Sequence, residues 1–176
     1  IPTNGLLTVE TRVENGSNAP ISRVSVANCV QLSLAPEFAC DDFSRIYIST
    51  GGAWSSLASL QPQSDYPHYL SSIVGDHGGR IGWGGNLKHL FESISADHPM
   101  MVCVSKDGGR SVATESADYD HLFHNRANPE LLCIHSSQRG TPRLEPGEKI
   151  VFQQRIYFVE GDIDACVSAF DSESAR

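Results

Sequence analysis

Apolar residues in this chain recur at every second position. Leu7, Val9, Thr11 and Val13 alternate with Thr8, Glu10, Arg12 and Glu14. Val24, Val26, Val30, Leu32 and Leu34 repeat the pattern, with Asn28 as its polar exception. A period of two belongs to strands that bury one face. Residues 15–20, Asn-Gly-Ser-Asn-Ala-Pro, tolerate positive φ and then fix it, so these two strands are expected to form a hairpin. Residues 45–49 and 53–57 flank Gly51-Gly52, and residues 100–104 and 110–114 flank Lys106-Asp107-Gly108-Gly109, the clearest hairpin signal in the chain. A short apolar strand, Leu131 to Ile134, ends at His135. After the turn at 144–148, residues 149–159 form a long strand with Ile150, Phe152, Ile156 and Phe158 on one side and Gln153, Arg155 and Tyr157 on the other.

Helical spacing is confined to two places. Leu87, Leu90, Phe91 and Ile94 predict a short helix near 87–95, stopped by His98-Pro99. Asp162 is placed to cap a C-terminal helix near 162–170, in which Ile163, Cys166, Val167 and Phe170 recur at helical intervals. Seven or eight strands joined by turns, with only short helices, predict a mainly β, antiparallel β-sandwich. The 176 residues suit a single domain spanning 1–176.

A formal charge of -8 argues against nucleic acid and anionic membranes as partners, since both would repel the chain. No apolar run is long enough for membrane insertion. Ile1, where Met would begin a nascent chain, together with a strand pattern only a few residues later, is the pattern of a processed or trimmed start. The five cysteines contain no C-x-x-C pair, which removes the usual zinc and thioredoxin readings. Cys29 and Cys40 bracket a loop and are the candidate disulfide, whereas Cys103, Cys133 and Cys166 sit in apolar settings typical of buried thiols.

Two segments carry candidate chemistry. His121, His124 and His135 offer three nitrogens for zinc or copper, provided the backbone turns between His121 and His124. Alternatively His135 or His124 acts as a general acid or base, with Asp120 or Glu115 orienting the imidazole. The absence of G-x-S-x-G disfavours serine hydrolase chemistry. Residues 61–85 read as a long loop, and Gly75 to Asn86 within that region matches no phosphate-binding fingerprint. Its glycines permit close approach of a ligand, with Trp83 offering a flat face to a sugar ring and Arg80, His77 and Asp76 supplying hydrogen bonds. Arg155 and Tyr157, beside Gln153, are the matching cleft lining on the last long strand.

Several segments together resemble those of uncharacterised secreted bacterial proteins with a galactose-mutarotase-like supersandwich domain. They are residues 24–38 with Asn28-Cys29 and Gln31, Val104-Ser105-Lys106-Asp107-Gly108, Cys133-Ile134-His135-Ser136, and Leu144-Glu145-Pro146-Gly147-Glu148 leading into residues 156–162. The wider superfamily contains epimerases, polysaccharide lyases and sugar-binding parts of hydrolases that use histidine, tyrosine, arginine and acidic side chains on a concave sheet. The resemblance therefore implies a secreted or periplasmic carbohydrate-active protein of supersandwich-like fold, needing no cofactor. Its epimerase- or lyase-like chemistry would rest on His135, His124, Tyr157 and Arg155. The alternatives are a noncatalytic carbohydrate-binding module and a zinc or copper enzyme. Supersandwich domains are usually longer than this chain, which implies an abbreviated fold or a missing upstream part.

Overall fold

The computed structural model describes residues 4–40, 42–60, 96–116, 119–125 and 133–174. The helix expected near 87–95 and the glycine-rich loop lie outside them. The chain forms strands β1 (Asn4–Glu14), β2 (Ile21–Gln31), β3 (Ile46–Thr50) and β4 (Ala53–Ser56), then a short helix α1 (Leu57–Leu60). Strands β5 (Met100–Val104), β6 (Arg110–Ser116), β7 (Tyr119–Asn125), β8 (Cys133–Leu144) and β9 (Lys149–Glu160) follow, before helix α2 (Ile163–Ser174). Every pairing is antiparallel. Sheet A has the order β1-β9-β6-β5-β3-β4 and sheet B the order β2-β8-β7. The fold is the mainly β, sandwich-like one that the alternation predicts.

Sheet A is the middle of three layers. One face packs on sheet B through Ile46, Ile48, Met101, Cys103, Val112, Leu122 and Ile134. The other face packs on α2 through Met100, Val102, Ala113, Tyr157, Val159, Cys166 and Phe170. β5 therefore buries both faces, which is why Met100-Met101-Val102-Cys103-Val104 reads as a continuous apolar run. Asp162 caps α2 as expected: its Oδ1 accepts from the backbone N–H groups of Asp164 (3.1 Å) and Ala165 (3.4 Å).

The two glycine hairpins form as predicted, β3–β4 across Gly51-Gly52, with φ of 62° and 80°, and β5–β6 across 105–109. The first expected hairpin does not form. β1 pairs with β9 in sheet A, whereas β2 pairs with β8 in sheet B, so the 15–20 connection crosses between layers. Asn15 is the cause. It is fully buried, its side-chain amide donates to the carbonyls of Ala19 and Leu144 (2.9 Å each), and its backbone exchanges bonds with Glu148 and Gly147. The β1–β2 corner is thus fastened to the β8–β9 corner. Leu34, expected on the apolar face, lies beyond the end of β2 and is 89% exposed.

β8 is the other departure, because it continues for twelve residues through Ser136 and Ser137 and does not end at His135. Ser136 and Ser137 are both buried, and Ser136 faces sheet A. The Gln154 amide donates to the Ser136 carbonyl (2.8 Å) and to Ser116 Oγ (3.2 Å), giving the interlayer a polar bridge that hydrophobic periodicity cannot register.

Candidate functional site

Alternation fixes which layer each side chain enters. On β9, Phe152, Gln154 and Ile156 point toward sheet B, while Arg155, Tyr157 and Val159 occupy the face covered by α2. On β6, Glu115 stands directly opposite Arg155. Its carboxylate is 4% exposed, accepts the Tyr157 hydroxyl at 2.7 Å and lies 3.6 Å from Arg155 Nη1. Burial, then the neighbouring Glu115 carboxylate, pushes the Tyr157 hydroxyl well above the usual phenol range, so it stays protonated and serves as a donor.

An aromatic row leads to this pair. Trp54 on β4 stacks on His98 (centroids 5.6 Å apart, planes at 23°), His98 meets Phe170 of α2 edge-on at 5.8 Å, and Phe170 meets Tyr157 at 6.3 Å. Trp54, His98 and Arg155 are half-buried, whereas Tyr157 and Glu115 are closed off. The face thus offers a partly exposed indole at one end and a guanidinium at the other.

A second cluster lies on the opposite side of the molecule. Ile134 points into the core between the sheets, so Cys133 and His135 belong to the outer face of sheet B. Cys29 on β2 pairs directly with His135. The ligand atoms of Cys29, Cys133 and His135 all lie within 4.8 Å of one another; Cys29 is exposed and the other two are buried. None of the five cysteines is bonded in a disulfide, so the Cys29–Cys40 bridge expected from the loop is not formed. The Cys40 sulfur instead accepts the Arg45 backbone N–H at 3.2 Å. Burial pushes the Cys103 and Cys166 thiols up to about 12, which suits them to packing and not to nucleophilic work.

The fold places His135 apart from Arg155 and Tyr157 of the expected catalytic group. His135 lies beyond sheet B, and Arg155 and Tyr157 lie beyond sheet A, with the sandwich, whose sheets stack roughly 10 Å apart, between them. Among the described residues, they do not line a common face. Tyr157 is buried under α2 and does not line an open cleft, because the twisted strand exchanges its covered face along its length. Among the described residues, Glu115 faces Tyr157 and Arg155. His121 and His124 fall within β7, paired with Ser137 and Ile134, so no turn intervenes and their backbone positions have opposite parity. The condition for a three-histidine ion site is therefore absent from the β7 backbone. Trp83, Arg80, His77 and Asp76 lie outside the described residues. Sequence reasoning passed over Trp54 and His98, which are far apart in the chain and joined only by the pairing of β3 with both β4 and β5. Cys133-x-His135 was the available signal for the second cluster, since residues two apart on a strand share a face.

No protein-family model matches the chain, and no curated protein matches it. Among solved structures, it is similar to the crystal structure of Slr1438 protein from Synechocystis sp. PCC 6803, at 14% identity and a TM-score of 0.45. The similarity covers 88% of this chain and 51% of that one, so the chain spans about half the length of that protein. Among the described residues, no helix is long and apolar enough to cross a membrane.

Proposed function

We propose that the protein binds carbohydrate, without turning it over, on the α2-side face of sheet A. The observation carrying this reading is the row Trp54–His98–Phe170–Tyr157 running into the Arg155–Glu115 pair. A half-exposed indole backed by a stacked imidazole gives the C–H face of a sugar ring a flat apolar platform. The partly exposed Arg155 guanidinium supplies donors for its hydroxyls. Glu115, held by Tyr157, fixes where that guanidinium sits. Binding is favoured over catalysis because Tyr157 is protonated and enclosed, and His135 lies on the far side of the sandwich. The sequence resemblance to secreted proteins supports an extracytoplasmic setting for the sugar.

A glycan array with untagged protein, followed by calorimetry on the glycans retained, tests the reading. Trp54→Ala should weaken binding by about tenfold or more, equivalent to about 1.4 kcal/mol, with the circular dichroism spectrum unchanged. Retention of no glycan, or unchanged affinity in Trp54→Ala, would overturn it.

A further inference from the structure

We propose that the outer face of sheet B carries a metal site in which Cys29, Cys133 and His135 hold a d10 cation, Zn(II) or Cu(I). The inference is independent of the carbohydrate reading, because the two faces lie on opposite sides of the sandwich.

Strand register builds the site. Cys133 and His135 are two residues apart on β8 and share its outer face, while Cys29 stands opposite His135 on β2. Two sulfurs and one imidazole nitrogen converge within 4.8 Å. Tetrahedral ligands roughly 2.3 Å (sulfur) and 2.1 Å (nitrogen) from zinc stand roughly 3.5–3.8 Å from each other. The observed 4.8 Å limit exceeds that spacing by only about 1 Å. The donor set selects the ion: thiolate and imidazole suit Zn(II) and Cu(I), whereas Mg(II) and Ca(II) require oxygen ligands. Three protein donors leave a fourth position for water or an outside ligand, and exposed Cys29 marks the solvent side. On binding, each thiol releases its proton to solvent, so affinity rises with pH. An ion here also ties β2 to β8, so the loaded protein is the more stable one.

The test uses reduced, untagged protein titrated with Co(II) as a spectroscopic probe and then with Zn(II) or Cu(I). The expected result is about one equivalent of Co(II) per chain, with thiolate-to-cobalt charge-transfer bands and the intense visible bands of a tetrahedral ion. Zn(II) or Cu(I) displaces it, and competition between the two identifies the preferred ion. Cys29→Ser changes an exposed residue and leaves the packing intact, so it should abolish the charge-transfer intensity assigned to that sulfur and the rise in Tm on Zn(II) addition. A cobalt spectrum without thiolate bands, or one unchanged in Cys29→Ser, would overturn the proposal. So would binding that survives Cys29→Ser but is lost in His121→Ala, which would assign the ion to histidines.

Discussion

Tyr157 joins the aromatic row to the charged pair on the α2-side face. Its ring packs against Phe170, and its hydroxyl is the 2.7 Å partner of a carboxylate that is otherwise faced by Arg155. Tyr157→Phe keeps the ring and removes the donor, leaving Glu115 under-satisfied in a buried position. We expect a loss of about 1–3 kcal/mol in urea denaturation at neutral pH. The pH dependence has a definite sign. The folded-state pKa of the phenol is raised, so its contribution is fully present below the ordinary value near 10 and is lost as pH climbs above that. The gap between wild type and Tyr157→Phe should therefore narrow in alkaline buffer. Periodicity places Tyr157 on the same side as Arg155, which the structure bears out. It does not reveal that a helix from the chain end covers that side, because burial of an alternating strand depends on what packs on each face.

At the level of elements, local chemistry was legible where the structure is local. Gly51-Gly52 and Gly108 mark hairpins because positive φ is needed there, and Asp162 marks a helix start because its carboxylate reaches the next free N–H groups. The β1–β2 corner was misread because Asn15-Gly16 fits a hairpin equally well. What decides the matter is a buried bond from Asn15 to Leu144, 129 residues away. Gly140 shows the same dependence on a distant partner. β2 has a bulge between Val24 and Val26, and a Cβ at Gly140 would stand 1.7 Å from the Val24 carbonyl oxygen and 2.7 Å from its carbon. Backbone cannot yield as a side-chain tip can. Gly140→Ala should therefore destabilise the fold by at least about 2 kcal/mol in chemical denaturation, by forcing β2 and β8 apart.

For the whole molecule, the central consequence of the topology is that its candidate groups separate onto two outer surfaces. Sheet A, covered on one side by sheet B and on the other by α2, keeps Trp54, His98 and Arg155 away from Cys29, Cys133 and His135. The sandwich class was readable from alternation alone, but the grouping of residues was not. It depends on pairings such as β1 with β9 and β2 with β8, which join opposite ends of the chain. The most direct test is a two-dimensional NMR titration of labelled protein with a glycan retained on the array. The account predicts shifts concentrated at the Trp54 indole N–H, His98 and Arg155, with the Cys29 and His135 resonances unmoved. Shifts centred on Cys29 and His135, with Trp54 unaffected, would contradict it.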